Sequence, residues 1–161
     1  MASSQENSIL TDYSNLQIQS SQVVLVYTEW NTAIIDTLRA GVKKILSQFP
    51  QVIIHEIQVP GAIEIPFAVA QYQSHIGADA YITLGCVIKG ETPHFDFVCK
   101  SVTEGITQLN ITLGSPVIFG VLTVINEEQA WDRLGGKHGH KGEESAIAAL
   151  KMMAFKNSIK R

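Results

Sequence analysis

In GCVIKGETPHFDFVCK, residues 85–100, an imidazole (His94) follows directly on Thr92-Pro93, a pair that marks a helix start. Threonine is a good N-cap, and proline suits the first helical position because its missing N–H would have no intrahelical partner there. A helix start entered through a turn containing Gly90 presents free N–H groups and a positive dipole end, which suits a phosphate. An imidazole exchanges protons near neutral pH, so anion binding and proton transfer are the chemistry this stretch could support. The same residues also read as an ordinary helix start carrying a surface histidine.

Other candidates lie where apolar runs end. Trp30, just past QVVLVY (22–27), could stack a planar heterocycle or simply cover the sheet edge. Glu64 stands between Ile63 and Ile65, where a buried carboxylate needs donors from a polyol ligand or from the protein. Arg133, Lys137 and Lys141 lie in or beside GGKHGHKG (135–142), where they could clamp a phosphate or remain solvated charges. That turn lacks the G-x-x-x-x-G-K-[ST] order of a P-loop. His138 and His140 form an H-x-H pair, but no carboxylate or cysteine joins them at ligand spacing, so no metal is expected. Cys86 and Cys99 also lack metal-ligand spacing and fit a reduced, cytoplasmic setting.

The elements that must hold these residues are legible from periodicity. Apolar, β-branched runs predict strands over 22–27, 52–59, 80–88 and 116–124. Helical spacing predicts helices over 32–48, 62–75, 126–134 and 142–158, and one opening at Thr92. The second should carry Ile63, Phe67, Ala70 and Gln71 on its apolar stripe and end at Gly77. The helix opening at Thr92 should bury Phe95, Val98, Cys99, Val102, Ile106 and Leu109. Strands alternating with helices predict one three-layer α/β/α sandwich around a four-stranded parallel sheet, residues 21–161. Residues 1–20 read as an arm that is disordered or ordered by another subunit, whose sheet it could extend.

With 17% charged residues and a net charge of −3, the chain of 161 residues lacks the basic footprint of a nucleic-acid or anionic-membrane binder. No apolar run is long enough to span a bilayer, and the N-terminus has no signal-peptide pattern. In parallel α/β sheets, ligands bind outside the carboxyl ends of the strands where strand order reverses. The exits here are 29–31, 60–64, 85–92 and 123–126, and three of them hold the candidates above.

Taken together, VPGAIEIPFA (59–68), GCVIKGETPHFDFV (85–98), PVIFGVLT (116–123) and EQAWDRLGGKHGHKG (128–142) resemble the 6,7-dimethyl-8-ribityllumazine synthase family of riboflavin biosynthesis. The resemblance spans nearly the whole chain past the arm and implies a flavodoxin-like strand order. It implies condensation of 5-amino-6-(D-ribitylamino)uracil with 3,4-dihydroxy-2-butanone 4-phosphate to the lumazine, phosphate and water, with no cofactor. It makes Trp30 the ring that stacks on the pyrimidine, at a position more often Phe. Ala62, Ile63 and Glu64 would hold the pyrimidine and its ribityl chain, and Cys86, Val87 and Ile88 would line the ring through main-chain groups. Glu91 and Thr92 would receive the butanone phosphate, Arg133 would pair with it, and His94 would move protons. Phe119, Arg133 and Lys141 would come from an adjacent subunit. His140 departs from the family pattern, which has Asn beside this lysine. The resemblance further implies pentamers, in some members assembled into a 60-subunit icosahedral shell, with riboflavin synthase as a candidate partner. The competing reading is a non-catalytic flavin or pterin binder, or a shell-forming protein, on the same fold.

Overall fold

A computed structural model of the protein describes residues 12–159. The strands are β1 (Ser21–Thr28), β2 (Val52–Val59), β3 (Ala80–Ile88), β4 (Val117–Val124), β5 (Leu134–Gly136) and β6 (Gly139–His140). The helices are α1 (Thr32–Leu46), α2 (Ile65–His75), α3 (His94–Thr112), α4 (Glu127–Trp131) and α5 (Lys141–Ser158). A 3-10 turn, Ala62–Glu64, leads into α2.

The first four strands form one parallel sheet in the order β2-β1-β3-β4, the flavodoxin-like arrangement expected from the sequence. From β1 the chain crosses to β2 on one side and then to β3 on the other, so strand order reverses between β1 and β3. Alternate residues of the central strands serve two cores, which is why these strands read as unbroken apolar runs. Val23, Leu25, Ile82 and Leu84 pack with α1 and α5, while Val24, Val26 and Tyr81 pack with α2 and α3. Three layers result.

Several expectations need correction. The buried face of the second helix is Ala62, Ile65 and Val69, not Ile63 and Phe67; Phe67 is 70% exposed. Ile65 and Val69 form the i, i+4 row that meets the sheet, and the neighbouring row turns outward. On α3, Val102, Ile106 and Leu109 are buried as expected, but Phe95, Val98 and Cys99 are only half-buried. That helix opens at His94 with Pro93 in the capping position, and Thr92 makes no side-chain hydrogen bond among the described residues. The helix after β4 ends at Trp131, so Arg133 lies beyond it, and GGKHGHKG is not a plain turn. It folds back as the antiparallel β5-β6 hairpin, with Gly135 and Gly139 at positive φ where a side chain would be strained. Of the expected arm, residues 1–11 lie outside the described residues. Within 12–20, Ile18 is buried in the core, and Tyr13 and Leu16 pack against it.

Candidate active site

The exits of β1, β2 and β3 surround a cavity of about 590 Å³ beside the point where strand order reverses. Trp30, Asn31, Ala62, Ile63, Glu64, Cys86, Val87, Ile88 and His94 line it, so most of the expected heterocycle and ribityl residues converge there with the imidazole. Trp30 is 73% exposed, which rules out the sheet-covering role in this chain. Its indole edge and the Glu64 carboxylate meet over Gly61. A β-carbon at Gly61 would lie 3.1 Å from Glu64 Oε2 and 3.7 Å from Trp30 Cδ1. Glu64 is exposed and has no hydrogen-bond or ion-pair partner among the described residues, so burial does not force it to find one. The sequence expectation of a buried carboxylate is therefore corrected, and a free acceptor is what faces the cavity.

Two polar lining residues were not anticipated. Asn31 stands at the N-cap of α1 with φ 58°, the left-handed region that asparagine tolerates better than most residues. From there its Nδ2 donates to the Cys86 carbonyl at 2.9 Å, tying the exit of β1 to that of β3. A polar Asn following an aromatic at a strand end was the available signal. Thr28 is 2% exposed, and its hydroxyl oxygen has no hydrogen-bond partner among the described residues. The Cys86 thiol is pushed up to about 11, first by burial and then by the Glu127 carboxylate, so it stays protonated and unreactive at neutral pH.

His94 opens α3, and the chain from Lys89 to His94 is exposed. In that first turn Asp96 N donates to the Pro93 carbonyl at 3.0 Å, which leaves the amides of His94 and Phe95, without a partner among the described residues, for an anion. Glu91 and Thr92 sit in this exposed approach and line neither cavity described here.

Phe119, Arg133 and Lys141 lie elsewhere. They line a second cavity, of about 540 Å³, with Thr123, Gln129, Asp132 and His138 at the exit of β4. Its cations are placed by a reciprocal cap: Asn126 Oδ1 accepts from Gln129 N at 2.9 Å, and Gln129 Oε1 accepts from Ile125 N at 2.9 Å. This fixes the start of α4 in the manner of a capping box. The main chain at Lys141 then donates to the Arg133 carbonyl at 2.8 Å, closing the hairpin.

Arg133 is gripped by its own chain. Its Nη1 donates to Glu144 Oε1 at 3.0 Å and also to the His138 carbonyl, and its Nη2 donates to Glu144 Oε2 at 2.7 Å. Three of the five guanidinium hydrogens are thus occupied. The remaining two, on Nε and Nη2, have no partner among the described residues; they share one edge of the planar group and are spaced for two oxygens of a single phosphate. Lys141 lies 4.0 Å from Glu144 Oε2. Burial pushes its ammonium below the usual lysine range; Glu144 partly offsets this, and Arg133 adds to it. An anion arriving there would relieve both the burial and the repulsion.

Apart from Glu91 and Thr92, the predicted site residues thus form two constellations at different strand exits. One offers a ring face, a free carboxylate and an imidazole; the other offers two cations. The comparisons with known proteins agree on what such a chain resembles. The family model described as 6,7-dimethyl-8-ribityllumazine synthase matches residues 20–157. A protein of that name from Cytophaga hutchinsonii is 47% identical over 158 residues, covering 96% of this chain and 98% of that one. Its namesake from Bacteroides fragilis is 45% identical over 139 residues, covering 85% and 97%, and that of Parabacteroides distasonis is 39% identical over 159 residues, covering 96% and 99%. With a match that runs through every strand and helix lining both cavities, the chain belongs to the 6,7-dimethyl-8-ribityllumazine synthase family.

Proposed function

We propose that the chain condenses 5-amino-6-(D-ribitylamino)uracil with 3,4-dihydroxy-2-butanone 4-phosphate, giving 6,7-dimethyl-8-ribityllumazine, phosphate and water. The observation that carries this reading is the convergence of Trp30, Glu64 and His94 on one cavity at the reversal of strand order. In it the pyrimidine stacks on Trp30, and its ribityl hydroxyls donate to the Glu64 carboxylate. Cys86, Val87 and Ile88 line the ring, with Ala62 and Ile63 opposite.

The nucleophile is the substrate's own amine, so catalysis is chiefly a matter of holding two small molecules in attack geometry. The 5-amino group attacks the ketone carbon, and one water leaves as the imine forms. The phosphate departs with its bonding electron pair as the neighbouring hydroxyl-bearing carbon loses a proton. The resulting enol returns to a ketone, and the ribitylamino nitrogen closes the second ring on that carbon with loss of a second water. His94 takes and returns the protons in these steps. The α3 amides, with Glu91 and Thr92 beside them, receive the phosphate, and a cationic fork stabilises it as charge develops on the leaving oxygens.

Arg133, Lys141 and Phe119 line a cavity separate from that of His94, so we propose that a second copy of the chain supplies them. The free Nε and Nη2 edge of Arg133 suits this role. Large apolar side chains left outside also suit assembly: Phe67 and Phe97 are 70% and 69% exposed. A pentamer closes such a head-to-tail contact into a ring, and a shell of twelve pentamers is its extension. A cytoplasmic location fits the two unpaired cysteines, and riboflavin synthase is the natural protein partner because it consumes the product.

The test is direct. Purified protein mixed with both substrates should yield the coloured lumazine and inorganic phosphate in equal amounts. Binding of the pyrimidine without release of phosphate would overturn the assignment.

A further inference from the structure

His140 lines neither cavity, yet it is tied to the hairpin, to α5 and to α1. It pairs with Leu134 across β5-β6, directly after Arg133, and it immediately precedes Lys141, the first residue of α5. Its Nδ1 accepts from Glu143 N at 3.5 Å, capping that helix. Its ring occupies space made by two glycines on different helices. A β-carbon at Gly41 of α1 would lie 2.2 Å from His140 Cε1 and 2.6 Å from Nδ1, and one at Gly142 would lie 3.1 Å from Cε1. Gly142 itself presses on α1, where its β-carbon would fall 2.1 Å from the Leu38 carbonyl oxygen.

We infer that His140 is a positioning residue for the anion-binding cations, wedged between α1 and α5 so that the Arg133 hairpin and the Lys141 helix start keep one fixed separation. The inference rests on the proposed role of Arg133 and Lys141 in holding phosphate. Physically, the ring joins three parts that could otherwise slide: the hairpin through strand pairing, α5 through the cap, and α1 through the Gly41 contact. Lys44 of α1 and Glu143 of α5 form an ion pair at 2.8 Å between the same two helices, but both are long flexible side chains. A rigid ring seated against backbone defines the spacing more tightly. Displacing it shifts Lys141 relative to Arg133, and placement errors of this kind lower affinity and rate without removing any binding group.

The experiment uses the full-length assembled protein and reads inorganic phosphate affinity by calorimetry, together with KM for each substrate. Gly41→Ala, at a position that lines neither cavity, should expel the ring; it and His140→Ala should each weaken phosphate binding and raise KM for the butanone phosphate about tenfold, leaving KM for the pyrimidine unchanged. The double variant should be no weaker than either single one, because both remove the same wedge. His140→Asn, which keeps a strong capping side chain, should stay within about threefold of the parent. Phosphate affinity unchanged in Gly41→Ala, equal loss of both substrates, or additive losses in the double variant would overturn the inference, as would a parent protein that binds no phosphate. Should His140→Ala fail to fold, Gly41→Ala and His140→Asn decide the matter. A parent that binds phosphate but forms no lumazine sinks the reaction and still leaves the phosphate titrations to judge His140.

Discussion

The two cavities are built on opposite principles. In the Trp30 cavity three polar side chains are left unsatisfied while Asn31 is held by the Cys86 carbonyl: Glu64 and His94 have no partner among the described residues, and the Thr28 hydroxyl is buried without one. In the Arg133 cavity the charges are already engaged, two guanidinium nitrogens on Glu144 and an ammonium held near the same carboxylate. Groups that must adapt to a polyhydroxylated ligand gain from being free to turn. Groups that must meet a compact anion gain from being fixed beforehand, since ordering two long cationic side chains at the moment of binding would cost rotamer entropy. The difference also explains why neither cavity suffices alone. One lacks a cation for a leaving phosphate, and the other lacks a ring face and a proton carrier.

Substitutions on each side should separate these roles, the largest effect coming from the arginine. Arg133→Ala should lower kcat/KM for the butanone phosphate by about 10²-fold or more, because a preorganised donor aimed at developing charge is lost. Pyrimidine affinity, measured by fluorescence titration, should be nearly unchanged; equal loss of both would erase the distinction. On the other side, Trp30→Ala should weaken the pyrimidine about tenfold through lost stacking while phosphate inhibition stays at the parent value.

A smaller effect concerns Lys141, whose ammonium is held below the usual lysine range by burial. Its charged form is disfavoured in the fold, so it detracts from stability at pH values below the lowered pKa. That penalty disappears as pH rises from the folded to the unfolded value. Lys141→Met should therefore melt higher than the parent at neutral pH in the absence of phosphate, and the gap should narrow as the solution is made alkaline. Phosphate affinity should show the reverse. The parent should lose it as pH rises through the lowered pKa, whereas the variant should be weak throughout.

Much of this was legible in the chain. β-branched runs marked the four sheet strands nearly to the residue, because strands buried on both faces leave an unbroken apolar signal. The residues lining the Trp30 cavity fell at strand exits for the same reason. Less legible were features set by tertiary packing. Phe67 looked like a core residue because it is large and apolar, yet the adjacent Ile65-Val69 row takes the sheet. Glu64 looked buried because isoleucines flank it, but at a 3-10 turn neighbours in sequence point in different directions. The hairpin at 134–140 was hidden because its glycines serve φ values rather than β propensity. The grip of Glu144 on Arg133 joins residues eleven apart across a turn, a pairing no periodicity encodes.

The central claim is that one working site takes its imidazole from one copy of the chain and its arginine from another. Co-assembly of His94→Ala chains with Arg133→Ala chains tests it, each variant alone being nearly inactive. In assemblies mixed at random in equal amounts, about one seam in four would join an intact His94 to an intact Arg133, so roughly a quarter of parental activity should return. Mixed assemblies no more active than the separate variants would contradict the account, since that is the outcome expected if both groups acted within a single chain.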